Sequence, residues 1–177
     1  MDASSIFQDS LPVTSDAMLD TLRASDIPFG YYEHVPLRTV EDAKTIQGSI
    51  LPMEAGHMDV KNLYLRDRKK RNYLVVLEQD RVIDLKALGA QIGVGNVSFG
   101  SPDRLMEYLG VRPGAVSPLA MITGATKGVH LLLDPALRMA EHIHMHPLVN
   151  DRTVTLHRDD LLKLLGMWGI VPRWLDL

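Results

Sequence analysis

No cysteine occurs among the 177 residues. That excludes disulfides, a thiolate metal site and a cysteine nucleophile. No apolar run approaches the ~18 residues that a membrane-crossing helix needs, and the opening stretch Met1 to Pro12 lacks the basic and apolar regions of a secretory leader. A cytoplasmic protein with no membrane partner is expected. Basic charge is also short: 19 Lys and Arg against 22 Asp and Glu leave a net charge of −3. A general hold on a nucleic-acid duplex through overall charge is therefore excluded, and only a local patch could grip phosphates. No internal repeat is visible. There is no Gly-x-Ser-x-Gly elbow and no phosphate-binding loop, and Gly93-Val94-Gly95 lacks the rest of a dinucleotide pattern.

What is present suits one domain, because 46% of the residues are hydrophobic and two full domains would be crowded into this length. Residues 1–13 read as a loose N-terminal arm and 14–177 as the domain proper. Thr14-Ser15-Asp16 offers N-cap chemistry to a helix with Met18, Leu19 and Leu22 on its apolar face. Phe29 to His34 reads as a strand. Thr39 and Asp42 form a capping-box pattern for a second helix that carries Lys44 and ends near Gly48. Ser49 to Met58 reads as a loop. Strands are expected at Asn62 to Arg66 and Tyr73 to Glu78, with a strand or turn near Val82 and a helix from Asp84 to about Gly93.

Val97 to Phe99 is strand-like. Ser101-Pro102 opens a helix that Gly110 ends. Leu119 to Thr123, His130 to Leu133 and Glu141 to Met145 read as strands, and a last helix runs from about Arg158 to Met167 with Asp159 and Asp160 in its first turn. Strict βαβ alternation is absent. The expected fold class is α/β, a single-domain mixed and largely antiparallel sheet with packed helices.

Several groups could carry chemistry. The loop Gly114-Ala115-Val116-Ser117-Pro118 joins a glycine of free dihedrals to a proline of fixed φ, so it is either an ordinary connection or a device that aims backbone groups at a ligand. His142, His144 and His146 alternate with Ile143 and Met145, which puts three imidazoles on one strand face. Neighbours on that face lie about 6–7 Å apart, so three in line do not converge on one small ion. No metal site is expected, and the alternative is a polar face with one functional histidine at its end. Lys44 is either a point charge for phosphate or an exposed helix lysine. The run Arg66 to Arg71 is either a phosphate grip or a solvated hairpin tip.

Taken in order, certain segments resemble the prolyl-tRNA editing family, and in particular the free-standing alanyl-tRNA(Pro) deacylases related to the editing domain inserted in bacterial prolyl-tRNA synthetases. They are Lys44; Lys61-Asn62-Leu63-Tyr64-Leu65-Arg66-Asp67; Tyr73 to Leu77; Asp84 to Leu88; Ser98 to Pro102; Leu109-Gly110-Val111 leading into Gly114 to Pro118; and His146 to Asn150 with Thr153 and Thr155. The likeness spans roughly residues 15–167. It implies hydrolysis of the ester that joins an amino acid to the terminal adenosine of a tRNA, with alanine on the tRNA for proline as the expected substrate.

The resemblance implies that Gly114, Ala115, Val116, Ser117 and Pro118 cradle the aminoacyl group and that His146 borders the pocket as a catalytic residue. It assigns substrate binding to Lys44 (at the terminal nucleotide), Lys61, Asn62, Asn150 and Thr153. It implies no cofactor. The partner is the acceptor end of an aminoacyl-tRNA, the tRNA for proline, with transient association with prolyl-tRNA synthetase as a further expectation. Two departures from the family's pattern, the longer approach Gly56 to Lys61 and the pair Asp151-Arg152, bear on rim contacts. The alternatives are a deacylase for another misacylated tRNA, such as cysteinyl-tRNA(Pro), and a non-catalytic module that binds the tRNA end.

Overall fold

A computed structural model describes residues 1–177. It contains one eight-stranded mixed sheet ordered β1-β7-β6-β2-β3-β5-β8, with β4 also paired to β2. The strands are β1 (Phe29–Glu33), β2 (His57–Asp67), β3 (Asn72–Glu78), β4 (Val97–Phe99), β5 (His130–Leu133), β6 (His142–Met145), β7 (Arg152–His157) and β8 (Arg173–Trp174). Four of the seven pairings are antiparallel, and β2–β6, β3–β5 and β5–β8 are parallel. The α/β class and the mixed sheet are as the sequence predicts. No helix is long and apolar enough to cross a membrane.

The helices start where local chemistry favours it. In α1 (Ser15–Ala24) the Thr14 hydroxyl accepts from Ala17 N–H. In α2 (Val40–Ile46) Thr39 and Asp42 close a reciprocal capping box. Asp84 caps α3 (Leu85–Gln91). Ser101 caps α4 (Pro102–Leu109), whose end falls on Gly110 at φ 66°. The last long helix, α6 (Arg158–Met167), has Asp159 and Asp160 in its first turn.

Four expectations need correction. Leu119 to Thr123 is not a strand: a 3₁₀ turn at Pro118–Ala120 runs into the short α5 (Met121–Gly124). Ser117 caps this turn through its hydroxyl and Pro118 pre-sets φ, so local turn chemistry decides a fully buried apolar run whose periodicity is ambiguous. The region around Val82 is a turn without a strand, and β2 begins at His57, inside the stretch read as loop. The N-terminal arm is not loose. Its 3₁₀ segment Ser5–Ser10 is docked, with Ala3, Ser4 and Leu11 buried. Asn150 N–H donates to Ala3 O at 2.9 Å, and Ser5 N–H and Oγ donate to the Asp151 carboxylate at 2.9 and 2.7 Å. Strands β7 and β8 were not anticipated.

The feature that positions the site is the path of β2. Its first residues, His57 to Asp59, pair in parallel with β6, while Val60 to Arg66 pair with β3 on the other edge. At Leu65 to Asp67, β4 returns to the edge that β6 has left. Between Asp59 and Leu65 that edge of β2 has no strand partner. Crevices form where parallel strands diverge at their carboxyl ends, because backbone there is freed from the ladder. The main core of 30 buried residues lies under the sheet, and a satellite of Leu37, Ile46 and Leu51 holds α2 over the crevice.

Candidate active site

The crevice holds two joined chambers. The outer one, about 220 Å³, is lined by Arg38, Thr39, Val40, Lys61, Gly114, Val116 and other residues. The inner recess, about 50 Å³, is lined by Leu51, Asp59, His144, Met145 and Thr153 among others. Leu37, Ala43, Val60, Asn62, Gln79 and His146 line both. A larger cleft of about 370 Å³ lies elsewhere, between Tyr73, Ile92, Trp168 and Arg173, and contains none of the expected site residues.

Most expected residues meet here. Lys61, Asn62, Gly114, Val116, His146 and Thr153 line one chamber or both. Asn150 lies behind the wall. It accepts from Leu37 N–H at 2.8 Å through its backbone carbonyl and donates from Nδ2 to Leu37 O at 2.8 Å. It thus fixes the turn after β6 to the chain entering α2.

Within the Gly114–Pro118 loop the side chains divide. Val116 faces the outer chamber. Ala115 and Ser117 are fully buried and Pro118 is buried, with the Ser117 hydroxyl occupied as a cap by Leu119 N–H. Only the backbone of this loop, together with Gly114 and Val116, reaches the cavity. Gly114 sits at φ 93°, a region L side chains avoid. The N–H groups of Gly114, Val116 and Ser117 donate to no backbone carbonyl.

Lys44 and Lys61 differ. Lys44 lies on α2 but outside the chamber lining, half exposed, in an ion pair with Asp80 at 2.7 Å. Lys61 lines the outer chamber and its ammonium donates to the Arg81 carbonyl. The exposed Arg38 guanidinium, which has no ion-pair partner, lies at the same rim.

His146 lies just past the end of β6 and is half-buried. Its Nδ1 is 2.8 Å from the carbonyl of Arg152. A carbonyl only accepts, so Nδ1 carries the proton and Nε2 is left as an acceptor. Burial pushes the imidazole pKa from 6.5 down to about 4, and the His34 ring 6.0 Å away adds to the effect. The ring is therefore neutral at pH 7.

The same shift has a consequence for stability. A folded pKa below the unfolded one means that the unfolded chain binds more protons between about pH 4 and 6.5. The contribution of His146 is thus complete above pH 6.5 and is lost as pH falls toward 4, amounting to about 3 kcal/mol. Urea unfolding from pH 7.5 to 4.5 is expected to show a steeper loss for the wild type than for His146→Gln, and parallel curves would contradict the assignment.

The turn that carries His146 is itself strained. Leu148 is buried at φ 68°, a conformation costly for a branched side chain.

Three participants were not anticipated. His34 receives the Thr153 hydroxyl on Nε2 at 2.8 Å, its Nδ1 being committed to Val35 O. Arg38 stands at the rim and Asp59 in the recess. An Asp two residues before Lys61 on an alternating segment was a readable signal for the last, had β2 been extended to His57. The histidines of β6 do not converge. His144 reaches across to His57 (Nε2 to Nδ1, 3.1 Å), and no three His, Asp or Glu side chains are placed to share an ion.

The fold and this cavity define a class: a small α/β domain that admits a short acyl group past a cationic rim into a narrow recess. Comparison with known proteins is specific. The aminoacyl-tRNA editing domain model matches residues 34–164. The prolyl-tRNA editing protein ProX of Acetoanaerobium sticklandii is 39% identical over 162 residues, covering 91% of this chain and 94% of that protein. The prolyl-tRNA synthetase associated domain-containing protein 1 of Bos taurus is 33% identical over 161 residues, covering 88% and 91%. A crystal structure proposed to be of a trans-editing enzyme for prolyl tRNA synthetase superposes with a TM-score of 0.65 at 19% identity, covering 92% of this chain and 97% of that one, and shows the shared fold. The chain belongs to the aminoacyl-tRNA editing domain family, and by class it is an aminoacyl-tRNA deacylase.

Proposed function

We propose that the protein edits in trans, hydrolysing the ester of alanine wrongly attached to the tRNA for proline. The observation that carries this reading is the two-chambered cavity. Its outer part, with Arg38 and Lys61 at the rim, suits the phosphate-bearing terminal adenosine, and its inner part of about 50 Å³ suits a side chain no larger than a methyl group. A synthetase site shaped for proline rejects a smaller amino acid by only about 1–3 kcal/mol per missing methylene, so alanine leaks through and a narrower second sieve is needed. The names of the relatives, a prolyl-tRNA editing protein and proteins associated with prolyl-tRNA synthetase, agree with proline's tRNA as the carrier and leave room for transient association with that synthetase.

The chemistry asks little of side chains, because an aminoacyl ester is already activated. Water attacks the carbonyl carbon, the bond to the ribose oxygen breaks, and that oxygen leaves with a proton, releasing free amino acid and uncharged tRNA. The unpartnered amides of Gly114 and Val116 are donors for the developing oxyanion at low reorganisation cost. His146 Nε2, an acceptor in a neutral ring, orients the attacking water, with the substrate's free ribose hydroxyl assisting. Thr153 and Asn62 complete the wall.

Deacylation of alanyl-, cysteinyl-, seryl- and prolyl-tRNA tests this directly. Fastest loss of alanine with proline retained is expected. A preference for cysteine would assign the sister reaction, and protection of all four by bound protein would assign a non-catalytic module.

A further inference from the structure

The inner recess is apolar on several sides, with Leu37, Leu51, Val60 and Met145 in its lining, yet it contains the Asp59 side chain, which is 12% exposed. No lysine or arginine lies within ion-pair distance of that carboxylate. Its one neighbour of opposite character is His144 Nδ1 at 3.4 Å, too long for a full hydrogen bond. That imidazole is engaged at Nε2 with His57. A second acceptor in the same lining, Asn62 Oδ1, is buried and has no donor. A carboxylate and an amide oxygen left this way in a small cavity cost stability unless a donor arrives to satisfy them.

The polarity of the cavity says which donor fits. Lys61 and Arg38 put positive charge at the outer rim, and Asp59 puts negative charge in the recess. A ligand complementary to this arrangement is anionic at one end and cationic, compact and hydrogen-bond-donating at the other. Lysine or arginine side chains are too long for a recess of about 50 Å³, whereas an ammonium on a carbon that carries only a methyl group is not.

We infer that Asp59 and Asn62 Oδ1 form the receptor for the α-ammonium of the aminoacyl group, so that the protein selects for a free amino group as well as for a small side chain. The inference rests on the cavity being the aminoacyl site proposed above. It gives a reason for the position of Asp59, which lies where β2 parts from β6 and so faces the gap rather than a neighbouring strand. It also extends the sieve. Esters of the same size without the charge, such as lactyl-tRNA, and N-acylated aminoacyl-tRNA are refused on chemistry rather than on volume.

The test uses amide-linked analogues of the charged adenosine, which cannot be hydrolysed: 3′-alanylamido-3′-deoxyadenosine, its N-acetyl form and the lactyl counterpart. Calorimetric titration of the wild type is expected to show the alanyl compound binding at least about tenfold more tightly than either of the others. Asp59→Asn is expected to bind the lactyl compound as the wild type does and to lose the preference. Equal affinities in the wild type, or a preference kept in Asp59→Asn, overturn the inference. If Asp59→Asn fails to fold, the three-ligand comparison on the wild type decides alone. Binding is read without turnover, so a wild type that shows the preference yet deacylates no alanyl-tRNA defeats the proposed reaction and leaves the receptor standing.

Discussion

Replacing Gly114 by valine is expected to lower the maximal single-turnover rate of deacylation by about 10²–10³, the loss found when a preorganised oxyanion donor is removed. The added Cβ would lie 3.4 Å from Asn150 Nδ2 and 3.5 Å from Leu37 O, which is ordinary contact. Crowding is therefore not the cause. The cause is φ 93°, which a β-branched residue does not hold, so the loop must rotate and carry the amides of Gly114 and Val116 off target. The fold should persist, because the buried Ala115 and Ser117 keep their places in the core. Gly114→Ala meets the same dihedral penalty with less bulk and should fall between wild type and valine. If Gly114→Val, folded by circular dichroism, retains the wild-type maximal rate at saturating enzyme, the loop does not hold the reacting carbonyl.

Lys61→Ala is expected to act on affinity. Its ammonium lies at the rim of the outer chamber, and losing a hydrogen bond to a charged substrate group costs about 1.5–3 kcal/mol, or roughly 10- to 150-fold in the enzyme concentration giving half-maximal rate. The maximal rate should change much less. Lys44→Ala provides the internal contrast. Lys44 and Asp80 are 48% and 66% exposed, and such pairs are worth about 0–1 kcal/mol. The proposed role of Lys44 is a contact with tRNA outside the chambers, so its removal should shift half-saturation by no more than about fivefold. Titrating each variant against a fixed trace of alanyl-tRNA separates the two lysines. Equal effects would place both charges on the same group of the substrate.

These expectations also mark how far the sequence could be read. Short-range signals were reliable. Thr39 with Asp42, Ser101-Pro102 with Gly110, and the acidic start of α6 each define an end through a hydrogen bond or dihedral fixed within four residues. Signals that depend on what lies across the fold were not. Strand β7 alternates Thr153, Val154, Thr155 and Leu156, but it follows the Pro147 and Asn150 turn residues so closely that it passed as loop. The N-terminal segment is held by Asn150 and Asp151, about 146 positions away in the chain, and nothing local foretells that.

The site was legible in the same measure. Motifs identify Lys61, Asn62, Gly114 and His146 as a group. The distribution of labour inside the Gly114–Pro118 loop, the choice of Lys61 over Lys44 at the cavity, and the entry of Asp59 and His34 all follow from how β2 leaves β6, which is a property of the assembled sheet.

The central claim is that the cavity clears alanine, and not proline, from the tRNA for proline. The most direct measurement mixes alanyl-tRNA(Pro) and prolyl-tRNA(Pro), labelled differently, in one single-turnover reaction with saturating protein. The two substrates then share tRNA, buffer and enzyme and differ only in the group that enters the recess. The account predicts rapid loss of alanine with proline remaining at the rate of spontaneous hydrolysis. Equal loss of both, or loss of neither, would contradict it.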